Sequence, residues 1–214
     1  MAIESGQSIT CTDLQAVGGT RFILLRAWAA GDTATFATGE VTSIKDTGGT
    51  DADWGVYESR QESSSLTVSG TNEGKDVSTY ECTLSFYLPY CSKAKFDRLN
   101  ELQGNCLMAI VVDNNDDTTS DTIPATTYDS NFVLGVSSTP TLAATNVQAT
   151  IGNLRSQTYA TIQSIEGGTG AAYGDENGVT VTIACTQYEL PRSYNSAGAG
   201  IAIAAGGLTA TTTG

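Results

Sequence analysis

Few side chains in this sequence could do chemistry, and their types exclude more than they offer. The 214 residues include no His. That removes Ser-His-Asp and Cys-His nucleophile arrangements and every zinc site that depends on imidazole. Five Cys stand at positions 11, 82, 91, 106 and 185. Their number is odd, and no Cys-x-x-Cys supplies a ligand turn. Four lie in or beside apolar strand patterns and read as small buried hydrophobes rather than a disulfide framework or a metal set. Asp113, Asn115 and Asp117 have the 1-3-5 spacing that opens a calcium loop, but the sixth position is Thr118 instead of Gly and the twelfth is Pro124 instead of Glu. A solvated acidic loop is the better reading. Asp175 and Glu176 form a carboxylate pair of the kind used in acid–base work. Followed by Asn177-Gly178, they read as hairpin-turn residues. There is no GxxxxGK(S/T) and no GxGxxG between a strand and a helix. The expectation is therefore no catalytic residue, no cofactor, no metal and no enzyme.

The residues left for function are aromatic and acidic. Residues 46–62, DTGGTDADWGVYESRQE, are Gly-rich and carry five acids against one Arg. Seventeen residues is long for a passive connector, and the aromatics argue against disorder. Trp54 and Tyr57, rimmed by Asp51, Asp53 and Glu58, have the composition of an interface: an apolar centre with a charged margin. The alternative is that Trp54 folds back onto its own core. A second acidic group, Asp113, Asp116, Asp117, Asp121 and Asp129, falls in a stretch with no Lys or Arg between Arg98 and Arg155.

The elements that must position these residues are mostly strands. Tyr80, Cys82, Leu84, Phe86 and Leu88 alternate with polar residues, the period of a strand with one buried face. Pro89 should end it, and Ser92 can cap a helix. The spacing of Phe96, Leu99 and Leu102 predicts a helix over 93–103, packed on a sheet face that includes Leu84 and Phe86. Gly104 is its stop. Cys106–Val112 is a continuous apolar run, a strand buried on both faces, as is Arg21–Trp28. Weaker strands are expected at 36–44, 63–69, 131–136, 146–151 and 158–165, and a long one at 179–190 with Val179, Val181, Ile183 and Cys185 on one face. Residues 63–69 and 77–88 should pair as a hairpin.

Composition bounds the rest. The formal net charge is −13, which opposes gripping a phosphate backbone but suits a surface that DNA slides past. The first residues show neither a basic nor an apolar region of a secretory signal, and no apolar run approaches the roughly 18 residues of a spanning helix. Residues 193–214 carry no charge and read as a Gly/Ala/Thr-rich arm beyond a single domain of 1–192, one that a neighbouring subunit would order.

Three pieces in this order resemble the tail tube proteins of tailed bacteriophages: "LSFYLP" followed by "KFDRLNELQGN" and "CLMAIVVDNN"; "NFVLGV" after an acidic loop; and "GDENGVTVTIACTQYELPR" as a final strand after an Asn-Gly turn. Together they span roughly residues 60–192. The resemblance implies an all-β fold, a two-sheet sandwich or barrel with one short flanking helix. It implies a structural virion protein made in the host cytoplasm, forming hexameric rings stacked into a tube through which DNA passes without specific binding. Its partners would be copies of itself and other tail proteins. On this view the 46–62 loop bridges rings and the acids from Asp113 to Asp129 face the bore. The long 113–130 loop and the neutral tail depart from the simple tube pattern. They keep open a tail hub or adaptor with the same core, or a capsid decoration or adhesin-type binding module.

Overall fold

The computed structural model describes residues 18–29, 32–37, 39–46, 48–50, 52–59, 62–72, 78–114, 131–136, 147–150, 159–172, 175–194, 201–203 and 209–212. Most of these residues lie in strands. In chain order they are β1 (Thr20–Ala27), β2 (Thr33–Ala37), β3 (Glu40–Lys45), β4 (Ala52–Tyr57), β5 (Ser64–Asn72), β6 (Ser78–Pro89), the helix α1 (Lys93–Leu102), β7 (Leu107–Asp113), β8 (Asn131–Leu134), β9 (Val147–Thr150), β10 (Thr161–Gly168), β11 (Gly178–Gln187), β12 (Ile201–Ile203) and β13 (Thr209–Thr212). The fold is all-β, in antiparallel sheets, with one short helix among the described residues.

Among the described residues the sheets number three, ordered β12-β13-β4-β1-β7-β8, β10-β11-β6-β5 and β3-β2-β9. The six-stranded sheet lies between the other two, because its central strands are apolar on both faces. On β1, Phe22 and Leu24 enter one core with Ala34 and Phe36 of β2 and Val41 and Ile44 of β3. Ile23 and Leu25 enter a second core with Leu84 and Phe86 of β6 and Val181 and Ile183 of β11. β7 divides its side chains the same way, Met108, Ile110 and Val112 to the first core and Leu107, Ala109 and Val111 to the second. The doubly buried strands expected from the two apolar runs are therefore the shared wall of two cores. That is why neither run alternates with polar residues.

The β5–β6 hairpin pairs in continuous register from Ser64↔Phe86 to Asn72↔Ser78, as expected. The expected strand at 36–44 is instead the β2–β3 hairpin, turned at Gly39 with φ +89°. A left-handed residue there is cheap only for Gly.

The helix begins and ends as the sequence dictates. The Ser92 hydroxyl accepts the Lys95 N–H at 3.3 Å, and Gly104 follows the last turn with φ +80°. Its apolar stripe is narrower than expected. Leu99 is buried and Leu102 partly so, both in the core with Leu84 and Phe86, but Phe96 is 40% exposed. Each step of three residues turns about 300°, so Phe96 and Leu102 lie on either side of Leu99, and the sheet reaches only two of the three. We expect Leu99→Ala to cost about 2–3 kcal/mol in a denaturant melt, and Phe96→Ala less than about 1 kcal/mol. Equal losses at the two positions would contradict this packing.

The segment 46–62 is not one loop. The Asp46 carboxylate accepts the Gly48 N–H at 2.9 Å, the Thr50 N–H at 3.0 Å and the Thr50 hydroxyl at 2.7 Å, closing a tight turn after β3. Ala52–Tyr57 then forms β4 beside β1, with Val56 opposite Leu24 and Gly55 opposite Leu25. Trp54 is 2% exposed, in the core of Phe22 and Leu24. Tyr57 packs against the other core, its ring 6.2 Å from that of Phe86, and burial raises its phenol above the ordinary value. The two aromatics thus lie on opposite faces of one strand and cannot form a single exposed patch. This corrects the expectation that they project together from a loop. Asp53 and Glu58 are exposed, and Asp51 lies outside the described residues.

The described parts of the neutral tail pair within the chain. β13 adds to β4, with Ala210 opposite Trp54, and β12 adds to β13. A neighbouring subunit is not needed to explain their order.

Candidate functional site

The four-stranded sheet has two unlike faces. Inward, Cys82, Leu84, Phe86 and Leu88 of β6 and Val179, Val181, Ile183 and Cys185 of β11 are buried. Because side chains alternate along a strand, the residues between them face away from the core, and the register aligns them in rows. One row is Ser65, Ser85, Thr182 and Ser164. The next is Thr67, Thr83, Ala184 and Thr161. A third is Ser69, Glu81 and Thr186, and a fourth Tyr87, Thr180 and Glu166. The sequence places Thr and Ser here because β-branched and small hydroxyl residues suit a half-solvated pleated surface. The four strands contain no Lys and no Arg, and their two acids, Glu81 and Glu166, both point outward. The face is a hydroxyl carpet, neutral to weakly negative, that offers hydrogen bonds and no cation to hold a phosphate.

The two edges of this sheet differ. β10 carries a register shift between Ile162 and Ser164, together with Glu166 and two terminal glycines. Bulges and charges are the usual guards of an edge. β5, SSLTVSGTN, has neither charge nor Pro, pairs with β6 without a bulge, and leaves Val68 38% exposed. Among the described residues no strand pairs along its outer side.

The tip of the sheet, between β10 and β11, is held by Asp175. Its carboxylate accepts the Ala171 and Ala172 N–H groups, each at 2.7 Å, and these bonds hold its pKa below the ordinary carboxylate value. Asn177 fixes the start of the helix segment: its side-chain oxygen accepts the Cys91 N–H at 2.9 Å and its carbonyl the Tyr90 N–H at 2.6 Å. Asp175 thus works as a turn residue. A carboxylate with a lowered folded-state pKa contributes stability that is present above its unfolded pKa and is lost as pH falls through the folded value. Amide exchange at Ala171 and Ala172 should therefore lose protection below about pH 4, and Asp175→Ala should remove it at neutral pH. Protection unchanged by either would rule out this cap.

Polar groups buried elsewhere are structural ties. Asn131, 1% exposed, donates to the Tyr194 carbonyl at 3.1 Å and accepts the Tyr194 N–H at 2.6 Å. It pins the chain after β11 to β8. Asp32, fully buried, pairs with Arg26 at 3.2 Å and accepts the Ala29 N–H at 3.0 Å. A cleft of about 580 Å³ is lined by Gly39, Asn131, Phe132 and residues 189–193. Its two ionisable groups, Glu189 and Arg192, are paired with each other.

Of the acids expected on a bore, Asp113 ends β7 on the middle sheet and is partly buried. Asp116, Asp117, Asp121 and Asp129 lie outside the described residues, as do Asn115 and the rest of the calcium-like spacing. Among the described residues no group of three or more Cys, Asp or Glu gathers in a metal-binding arrangement, and no described helix is long and apolar enough to cross a membrane. The hydroxyl carpet was not singled out from the sequence. Its signal was present in the alternation of Ser65, Thr67 and Ser69 and of Thr180, Thr182 and Thr186 with apolar residues.

Comparison with protein-family models, with curated proteins and with solved structures finds no match for this chain.

Proposed function

We propose that this chain is a structural virion protein, a subunit of a phage tail tube whose copies form rings stacked around a passage for DNA. The observation that carries the reading is the outer face of the β10-β11-β6-β5 sheet. A wall past which a polyanion must slide should neither bind phosphates nor bury them. Lys and Arg would exchange for counterions and hold the duplex, whereas hydroxyls and a few carboxylates keep the wall wet and mildly repulsive. The unguarded edge of β5 supplies the second requirement, a place where another copy can extend the sheet. The order of strand, helix, strand and final hairpin that resembles the tube family supports the same reading. Copies of the chain and other tail proteins are its partners, and the assembled virion is its location.

Negative-stain microscopy of the purified protein is the direct test. Rings or tubes with an open centre are expected. Dispersed monomers at all concentrations would favour a decoration or adhesin-type module. Duplex DNA should not be retarded by the protein in a gel at physiological salt, and tight binding there would overturn the assignment of this face to a passage.

A further inference from the structure

Two thiols face each other in the sheet just described. Cys82 of β6 and Cys185 of β11 are directly opposed in the antiparallel register, on the inward face, and are 0% and 5% exposed. Both are free. Opposed residues of an antiparallel pair have Cα atoms about 4.5–5.5 Å apart, inside the roughly 4.4–6.8 Å that a disulfide spans. The site is polar for a core. Cys82 lies 3.5 Å from the Gln187 side-chain oxygen, and that buried amide donates to the Val136 carbonyl at 3.0 Å. The Gly135 N–H faces the Cys185 sulfur. Gly135 itself, with φ +81°, leaves no room for a Cβ, which would meet the Leu107 carbonyl at 2.4 Å. The row ends on Val68, 38% exposed at the sheet edge, so the cover over Cys82 on that side is thin.

We propose that Cys82 and Cys185 are an oxidisable dithiol, which a low-molecular-weight disulfide converts into a cross-strand disulfide joining β6 to β11. Cys82, opposite the part-exposed Val68 at the sheet edge, acts as the attacking thiolate. It attacks one sulfur of the small disulfide and displaces a small thiolate, leaving a mixed disulfide on Cys82. Cys185 gives up its proton to the displaced thiolate, attacks the Cys82 sulfur and expels the second small thiolate, which takes up the proton that Cys82 released. Two protein thiols and one small disulfide become one protein disulfide and two small thiols. The two electrons leave with the small thiols. The inference stands on the register of β6 and β11 and does not rest on the tube reading.

The test uses the full chain incubated with oxidised glutathione, then quenched, denatured and alkylated. We expect a peptide from β6 cross-linked to one from β11, lighter by two hydrogens than the sum of the two thiol peptides. Cys91 and Cys106, which are not fully buried, should appear as glutathione adducts or alkylated thiols. The melting temperature should rise by roughly 5–10 °C, since the bond closes a loop of about a hundred residues. Cys185→Ser should leave the glutathione adduct stranded on Cys82. If wild-type Cys82 and Cys185 both remain alkylatable after prolonged oxidation in urea near the unfolding midpoint, or if either links instead to another cysteine, the proposal is wrong.

Discussion

Trp54→Ala is expected to destabilise the protein by about 3–5 kcal/mol, a large share of the roughly 5–15 kcal/mol that holds a domain of this kind together. Trp54 is among the largest fully buried side chains. It belongs to the first core, together with Phe22, Leu24, Met108 and Ile110. The loss combines transfer and cavity terms. The strand depends on it twice over, because β13 pairs with β4 at this position. Urea unfolding followed by circular dichroism measures the effect. A loss below about 1 kcal/mol, together with a change in self-association, would instead place the indole in a contact between copies.

Trp54 also shows why part of the fold could be read in the sequence and part could not. Ala52, Trp54 and Val56 alternate with Asp53, Gly55 and Tyr57, which is a strand pattern. The surrounding Gly and Asp residues gave the segment the composition of a loop, and composition outweighed a period only three repeats long. β1, β7 and β11 were legible because their runs are longer and their apolar content decides the matter. The helix was legible at its ends, through Ser92 and Gly104, more than along its face. There the position of Phe96 depends on how far the sheet extends. β12 and β13 could not be foreseen: a Gly/Ala/Thr-rich segment has no strong preference of its own and becomes a strand when β4 offers a free edge far away in sequence. The third sheet was hidden for the same reason, since β9 joins β2 across more than a hundred residues. The hydroxyl face was written plainly in alternating Ser and Thr, but without the register nothing shows that four such strands line up.

Under the proposed assembly through the β5 edge, Val68→Lys is expected to weaken self-association at least a hundredfold while leaving the fold intact. Val68 lies on the outermost strand of the four-stranded sheet and points toward the core side, yet it is 38% exposed because, among the described residues, no further strand covers it. In the isolated subunit a Lys there can run its methylenes along Leu66 and Cys82 and carry its ammonium into water, so the cost to folding should stay within about 1 kcal/mol. In the proposed assembly a strand of a second copy adds to β5, and that escape closes. Inward-pointing charges at edge positions are one of the devices by which natural sheets refuse edge-to-edge pairing. Burying an unpaired ammonium in an interface costs several kcal/mol, so a hundredfold weaker association, about 2.7 kcal/mol, is a modest expectation. Sedimentation or light scattering across a concentration series reads the change, and thermal melting checks the fold. The conservative Val68→Thr keeps the shape without the charge and should assemble nearly as well as the parent. Two results would break the link between this edge and assembly. One is a Lys variant that still forms rings. The other is a Thr variant as defective as the Lys one, which would mean that packing at Val68 rather than access to the β5 edge governs association.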